Sequence, residues 1–329
     1  MDEWIITQKQ KGIGILILNR FKALNAINDL FQRQIITILK KWQDDPSIHA
    51  VLIKSSQKKA FCAGGDIRQI ANFVREGNYK KALSVFQHNY QLACFVAHYE
   101  KPIISLMDGI AMGGGIGLGS YVPYRIVTEC SILAMPEVMI GIAPDAGTSL
   151  IFQKAPGFTG LRAMLTGQRL NAEEAIQLGF ADYFIYSSEL ETVLSELESN
   201  NIKQVLAPYK KENRIDHGFL GQIKRVYDAS SVDMIIERLM GSVYEWSRKD
   251  LFSILKACPF SLRVAFQAWH RKLYNLESVI KRDECVINHL IQRADFLEGV
   301  RAAIIDKDHN PRWNQASISE SEINSCFDY

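Results

Sequence analysis

Short runs of apolar, β-branched residues alternate with amphipathic stretches through the first half of the chain. Ile13 to Leu18, Val51 to Lys54, Pro102 to Met107 and Arg125 to Thr128 are the runs that predict strands. Between the first two, Phe31, Ile35, Ile38, Leu39 and Trp42 recur at the spacing of one helix face, and Asn28 is placed to cap that helix. Tyr79 to Tyr99 predicts a second helix with Leu83, Phe86 and Tyr90 on one side. Strands that alternate with helices point to a layered α/β domain.

From about Leu190 the pattern changes. Strand-like runs thin out, a polar connector covers Pro208 to Asp216, and amphipathic helices follow around Val232–Trp246, Leu262–Leu273 and Ser278–Ile305. No fixed-period repeat or low-complexity tract interrupts them. The expected division is an α/β core over residues 1–200, carrying the site, and a mostly helical region over residues 201–329 packed on that core.

Composition narrows the function classes more than the fold. Hydrophobic residues make up 47% and charged residues 22% of the 329, the balance of a soluble globular protein. A formal net charge of +2 gives no electrostatic case for nucleic acid or an anionic membrane as partner. Cys62, Cys94, Cys130, Cys258, Cys285 and Cys326 are scattered without a Cys-x-x-Cys pair, which argues against a disulfide framework or a zinc knuckle. The seven histidines form no metal-spaced cluster, so no metal is expected. Met1-Asp2-Glu3-Trp4 has neither secretory nor transit character, and the longest apolar runs fall far below the roughly 20 residues a bilayer span needs. A cytoplasmic location is the expectation.

Three motifs carry candidate chemistry: Phe61-Cys62-Ala63-Gly64-Gly65-Asp66, Met112-Gly113-Gly114-Gly115-Ile116-Gly117, and Met135-Pro136-Glu137 with Pro144-Asp145-Ala146-Gly147. Taken singly, each has an ordinary explanation. Glycine runs make tight turns, Asp66 suits a helix N-cap, and Asp145 suits a turn. Taken in order, they supply backbone N–H groups free of side chains, then two carboxylates eight positions apart. Acyl chemistry on a thioester needs those parts: donors for a developing oxyanion and an acid/base pair. The apolar neighbours Met135, Val138, Met139 and Ile140 predict that Glu137 is partly buried, with its pKa raised. No Gly-x-Ser-x-Gly elbow, dinucleotide fingerprint or phosphate-binding loop is present.

Together these residues resemble the crotonase (enoyl-CoA hydratase/isomerase) superfamily, and more closely its 3-hydroxyisobutyryl-CoA hydrolase branch. Leu18-Asn19-Arg20 with Leu24-Asn25-Ala26 is similar to the superfamily's N-terminal signature. Phe296-Leu297-Glu298-Gly299-Val300-Arg301-Ala302, Asp306-Lys307-Asp308 and Pro311-Arg312-Trp313 resemble the hydrolase branch near its end. The resemblance implies an α/β, crotonase-like spiral of repeated ββα units with an extended helical C-terminal region. It implies an oxyanion hole from the Gly65 and Gly114 N–H groups, with Glu137 and Asp145 at the two acidic catalytic positions. Hydratases usually carry a second glutamate three residues after the oxyanion-hole glycine, where this chain has Gly117. Three other positions depart from the pattern. Phe21 replaces a proline, Ala146-Gly147-Thr148 replaces Val-Gly-Gly, and Asn89 stands where the hydrolases commonly have a substrate-contacting glutamate.

The expected function is hydrolysis of a short 3-hydroxyacyl-CoA, 3-hydroxyisobutyryl-CoA in valine breakdown. The expected partner is the acyl-CoA substrate, with no separate cofactor, no nucleic acid and no membrane; a homo-oligomer is left open. Two rivals remain: an enoyl-CoA hydratase or isomerase, against which Gly117 counts, and a non-catalytic CoA- or RNA-binding relative.

Overall fold

The computed structural model describes residues 3–314 and 316–328. The chain gathers into two compact units. One takes Met1–Gly65, His88–Ala134 and Arg169–Asn213, the other Asp66–Gln87, Met135–Gln168 and Arg214–Tyr329. These segments interleave along the sequence, where the residue pattern predicts one division near residue 200. A hydrophobic period reports local structure and carries no record of which elements share a core.

Among the described residues all the strands lie in the first unit, in two sheets. They are β1 (Ile5–Gln10), β2 (Ile13–Leu18), β3 (Ala50–Ser55), β4 (Ala60–Cys62), β5 (Ile103–Leu106), β6 (Ile110–Met112), β7 (Tyr124–Val127), β8 (Ile132–Ala134) and β9 (Tyr183–Phe184). The larger sheet runs β1-β2-β3-β5-β7-β9 and the smaller β4-β6-β8. Of these strands only β1 and β2 pair with each other antiparallel, through a turn in which Lys11 and Gly12 both have positive φ, as in a type I′ hairpin turn. Each later pair of strands places its first member in the large sheet and its second in the small one. Val51 thus faces Ile103, and Ile104 faces Tyr124, while Ala60, Ile110 and Ile132 align across the other sheet. Helical segments follow each pair in the chain, at Ile67–Arg75, Gly114–Gly119 and Glu137–Ile140. This is the ββα repetition that the resemblance implies.

The four long apolar runs are strands within one or two residues of their expected bounds. Every residue of β2 is buried, as in a parallel sheet covered on both faces. On one face Ile13, Ile15, Ile17, Leu52, Ile104 and Ile126 pack with Val193 and Leu197 of helix Leu190–Leu197 and Val205 and Leu206 of helix Ile202–Leu206. On the other, helix Asp29–Asp44 buries Phe31, Ile35, Leu39 and Trp42, and the Asn28 side chain accepts the Phe31 N–H at its start (2.9 Å). A Cβ on Gly14 would lie 2.7 Å from the Trp42 ring, so the indole rests directly on β2.

Among its described residues the second unit has helices and no strand. Two expected helices are broken. The stretch 232–246 divides into Val232–Met240 and Glu245–Lys256 around Gly241, and 278–305 divides into Leu276–Leu290, Ala294–Val300 and the π-helical Arg301–Ile305. Asp250, on Glu245–Lys256, ties that helix to Thr159–Thr166 and His217–Tyr227, taking both a bidentate bond from Arg162 (2.6 and 3.0 Å) and the Tyr227 hydroxyl (2.7 Å). Among the described residues no helix is long and apolar enough to cross a membrane.

Candidate active site

In the first unit, the two glycine motifs are brought together by the N-terminal signature and by close backbone packing. Asn25 is fully buried, with a left-handed backbone (φ 57°), and its side-chain amide donates to Ser55 Oγ and the Phe61 carbonyl, both at 2.9 Å. The Ala63 and Ile27 amides close the same loop onto the Leu24 and Gly64 carbonyls. Leu24-Asn25-Ala26 therefore fixes the strand end that leads into Gly64-Gly65. Helix Gly114–Gly119 then packs against that end so tightly that a Cβ on Gly115 would sit 2.2 Å from the Cys62 carbonyl oxygen. Gly64 (φ 97°) would drive a Cβ to within 2.8 Å of the Met112 carbonyl, and Gly113 takes φ 49° with ψ −123° at the helix N-cap. Only glycine suits these three positions.

Gly114 differs from its neighbours. The place its Cβ would take is 3.6 Å from the Gly65 nitrogen and 3.5 Å from Asn89 Cγ, ordinary contact distances around a small open space. Among the described residues neither the Gly65 nor the Gly114 N–H has a protein acceptor. Two amide donors thus border one space, one of them in the first turn of a helix, where donors are left over by the helix itself. Asn89, on helix Tyr79–Ala97, is 6% exposed, and its Oδ1 is buried without a protein partner among the described residues. Gly65, Gly114 and Asn89, named together from the resemblance, converge within the first unit. Cys62 lies near them, but burial pushes its thiol up to about 12, which removes it as a nucleophile. Asp66 does what its residue type suggested, accepting the Gln69 N–H as the N-cap of Ile67–Arg75.

In the second unit, Glu137 opens a 3₁₀ turn, Glu137–Ile140, whose backbone is closed by the Gly141 and Ile142 amides bonding to the Glu137 carbonyl. Helix Ala294–Val300 lies against this turn at two glycines. A Cβ on Gly141 would be 2.5 Å from the Asp295 carbonyl oxygen, and one on Gly299 2.5 Å from Ile140 Cα. That approach gives the Phe296–Arg301 motif a physical purpose: it backs the segment that presents Glu137. The glutamate is 6% exposed, and Oε2 has no protein partner among the described residues. Burial, and then the negative charge of Asp145, push its carboxyl well above the usual carboxylate range. Asp145 is itself buried, and its carbonyl accepts both the amide and the hydroxyl of Thr148. The two carboxylates are therefore an electrostatically linked pair, of the kind used in acid/base chemistry.

One participant escaped the sequence reading. Asp283 Oδ2 accepts the Gly147 N–H (2.9 Å), and Asp283 Oδ1 pairs with Arg282 (2.8 Å), both residues being nearly fully buried. The signal was available, since Asp283 falls among Val279, Ile280, Val286 and Ile287 on the apolar stripe of helix Leu276–Leu290, where a charge needs a partner. Among the described residues no group of three or more His, Cys, Asp or Glu is placed to hold a metal ion.

A sequence model of the enoyl-CoA hydratase/isomerase family matches residues 13–327. Curated relatives named 3-hydroxyisobutyryl-CoA hydrolase, mitochondrial, are 34% identical in Gallus gallus (98% of this chain, 88% of the relative) and 35% identical in Danio rerio (98% and 89%). The human protein of that name is 34% identical over 99% of this chain and 88% of its own length. Among solved structures, a carnitinyl-CoA dehydratase from Mycobacterium thermoresistibile superposes with a TM-score of 0.92 at 29% identity, over 100% of this chain and 97% of that one. An enoyl-CoA hydratase from Rhodobacter sphaeroides 2.4.1 gives 0.90 at 30% identity, over 99% and 97%. With this match in sequence and in architecture, the chain belongs to the enoyl-CoA hydratase/isomerase family and has the crotonase fold.

Proposed function

We propose that this protein hydrolyses the thioester of a short 3-hydroxyacyl-CoA, with 3-hydroxyisobutyryl-CoA as substrate and 3-hydroxyisobutyrate and CoA as products, a step of valine breakdown. The Gly65 and Gly114 N–H groups receive the thioester oxygen as it gains negative charge, each worth roughly 3–4 kcal/mol in the transition state. Glu137, once ionised, either attacks the carbonyl carbon to give an acyl anhydride or takes a proton from the water that attacks. In both routes the carbon–sulfur bond breaks and the CoA thiolate takes up a proton; in the first, water then cleaves the anhydride, giving the free acid and restoring Glu137. Asp145 binds the 3-hydroxyl and relays the proton. Oxygen-18 from labelled water appears in the Glu137 carboxyl only if the anhydride forms.

The observation that carries this reading is Glu137, buried with the charge of Asp145 against it, in a chain whose position 117 is a glycine. Hydration of an enoyl thioester needs one group to activate water and another to protonate the α-carbon, whereas hydrolysis needs attack at the carbonyl alone. The names of the curated relatives favour the same reading. The hydratase alternative is favoured by the names of the solved dehydratase and hydratase that superpose on this chain, and Gly117 stands against it. The RNA-binding alternative has no basic excess behind it. The test is free thiol released from 3-hydroxyisobutyryl-CoA, abolished in Glu137→Gln while binding of the ester persists. Equal release by the variant would remove Glu137 from the reaction.

A further inference from the structure

Asp145 is followed by a backbone conformation that residues with a side chain rarely hold. Ala146 has φ 54° and Gly147 φ 78°, two left-handed residues in succession. For alanine that conformation costs roughly 1–2 kcal/mol, and it persists only where neighbouring structure enforces it. The Thr148 amide and hydroxyl close this turn onto the Asp145 carbonyl, and the Asp283 carboxylate holds it from another helix through the Gly147 N–H. Arg282 orients that carboxylate, and its guanidinium is held in turn by Ser149 Oγ (2.5 Å) and the Ala268 carbonyl (3.1 Å). A buried ion pair seldom stabilises a fold more than apolar residues of the same shape would. An ion pair kept at 2% and 3% exposure, with one oxygen committed to the loop beside Asp145, is better explained by local positioning.

We propose that Asp283 is a positioning residue. Its carboxylate, aimed by Arg282, holds the Gly147 amide and the left-handed Ala146, so that the Asp145 carboxylate stays beside Glu137. The use of that carboxylate in thioester hydrolysis rests on the function proposed above; the positioning itself does not.

The test compares two double variants in which neither leaves an unpaired buried charge. Arg282→Met with Asp283→Leu removes the acceptor for the Gly147 N–H. Arg282→Met with Asp283→Asn removes the same charges but keeps an amide oxygen as acceptor. The first should lose roughly 10–100-fold in kcat, the scale of a misplaced catalytic group, and the second no more than about threefold. Adding Ala146→Gly to the first should recover part of the loss, because glycine takes the turn without strain. Equal kcat in the two double variants, or losses that simply follow their thermal midpoints, would overturn the proposal. If Asp283→Leu does not fold in that background, Asp283→Ser, too short to reach Gly147, takes its place. Should the wild type cleave no 3-hydroxyacyl-CoA, the functional reading fails, and crystal structures of the two variants decide the positioning. Ala146 is expected to leave the left-handed region, with Asp145 displaced, only where the acceptor is lost. An unchanged Ala146 there would contradict the proposal.

Discussion

A carboxyl group buried beside a second carboxylate holds its proton to higher pH than an exposed one, and Glu137 is in that position. Two consequences can be separated. As base or nucleophile the group must be ionised, so the acid limb of the rate profile should lie above the ordinary carboxylate range. Glu137→Gln should cut turnover by about two orders of magnitude or more. For stability the sign runs the other way. The folded pKa is raised, so the favourable contribution is present below the ordinary carboxyl value of about 4.3 and is lost as pH rises through the folded value. Glu137→Gln should therefore be more stable than the wild type at neutral pH, with the gain vanishing near pH 4. Urea denaturation at the two pH values checks this, and a variant less stable at both would contradict the burial argument. The glycines give a second residue-scale prediction. Gly114→Ala has room for its Cβ beside Asn89 and the Gly65 nitrogen, so it should fold and yet lose roughly 10- to 1,000-fold in turnover by filling the donor space. Gly115→Ala, with its Cβ 2.2 Å from the Cys62 carbonyl, should lose thermal stability first. Circular dichroism melts beside turnover separate the two; equal melts with equal turnover would deny that Gly114 is special.

At the scale of elements, legibility depended on length. A six-residue strand such as β2 announces itself by an isoleucine-rich apolar run, whereas β4, β6 and β8 have three residues each, too few to display any period. The glycine motifs and the two carboxylates were readable because their chemistry is local to the motif. For Asp283 the burial was readable but the partner was not, since Gly147 is 136 positions away and only folding joins them. Helix breaks at Gly241 and near Arg293 were hidden because apolar residues continue at helical spacing across them. The helix Ala294–Val300 offers a test of the backing argument. Gly299→Ala would push a Cβ to 2.5 Å from Ile140 Cα, and should lower the thermal midpoint while impairing turnover through Glu137. A variant that melts as the wild type does would show the approach to be slack.

For the whole molecule, the two compact units draw on interleaved segments, one holding both sheets, several helices and the amide donors, the other the acid pair among helices alone in its regular structure. The alternation of strands and helices was visible along the chain; the interleaving was not, because it is a property of packing. The central claim, that this member of a family rich in hydratases breaks a thioester, turns on the chemistry that the whole assembly performs. The direct measurement gives the wild type 3-hydroxyisobutyryl-CoA and crotonyl-CoA in parallel, following free thiol and enoyl absorbance in each. The account predicts thiol release from the first and little loss of enoyl absorbance from the second. Rapid loss of enoyl absorbance without thiol release would contradict it, and would require an acid other than a side chain at position 117 to protonate the α-carbon.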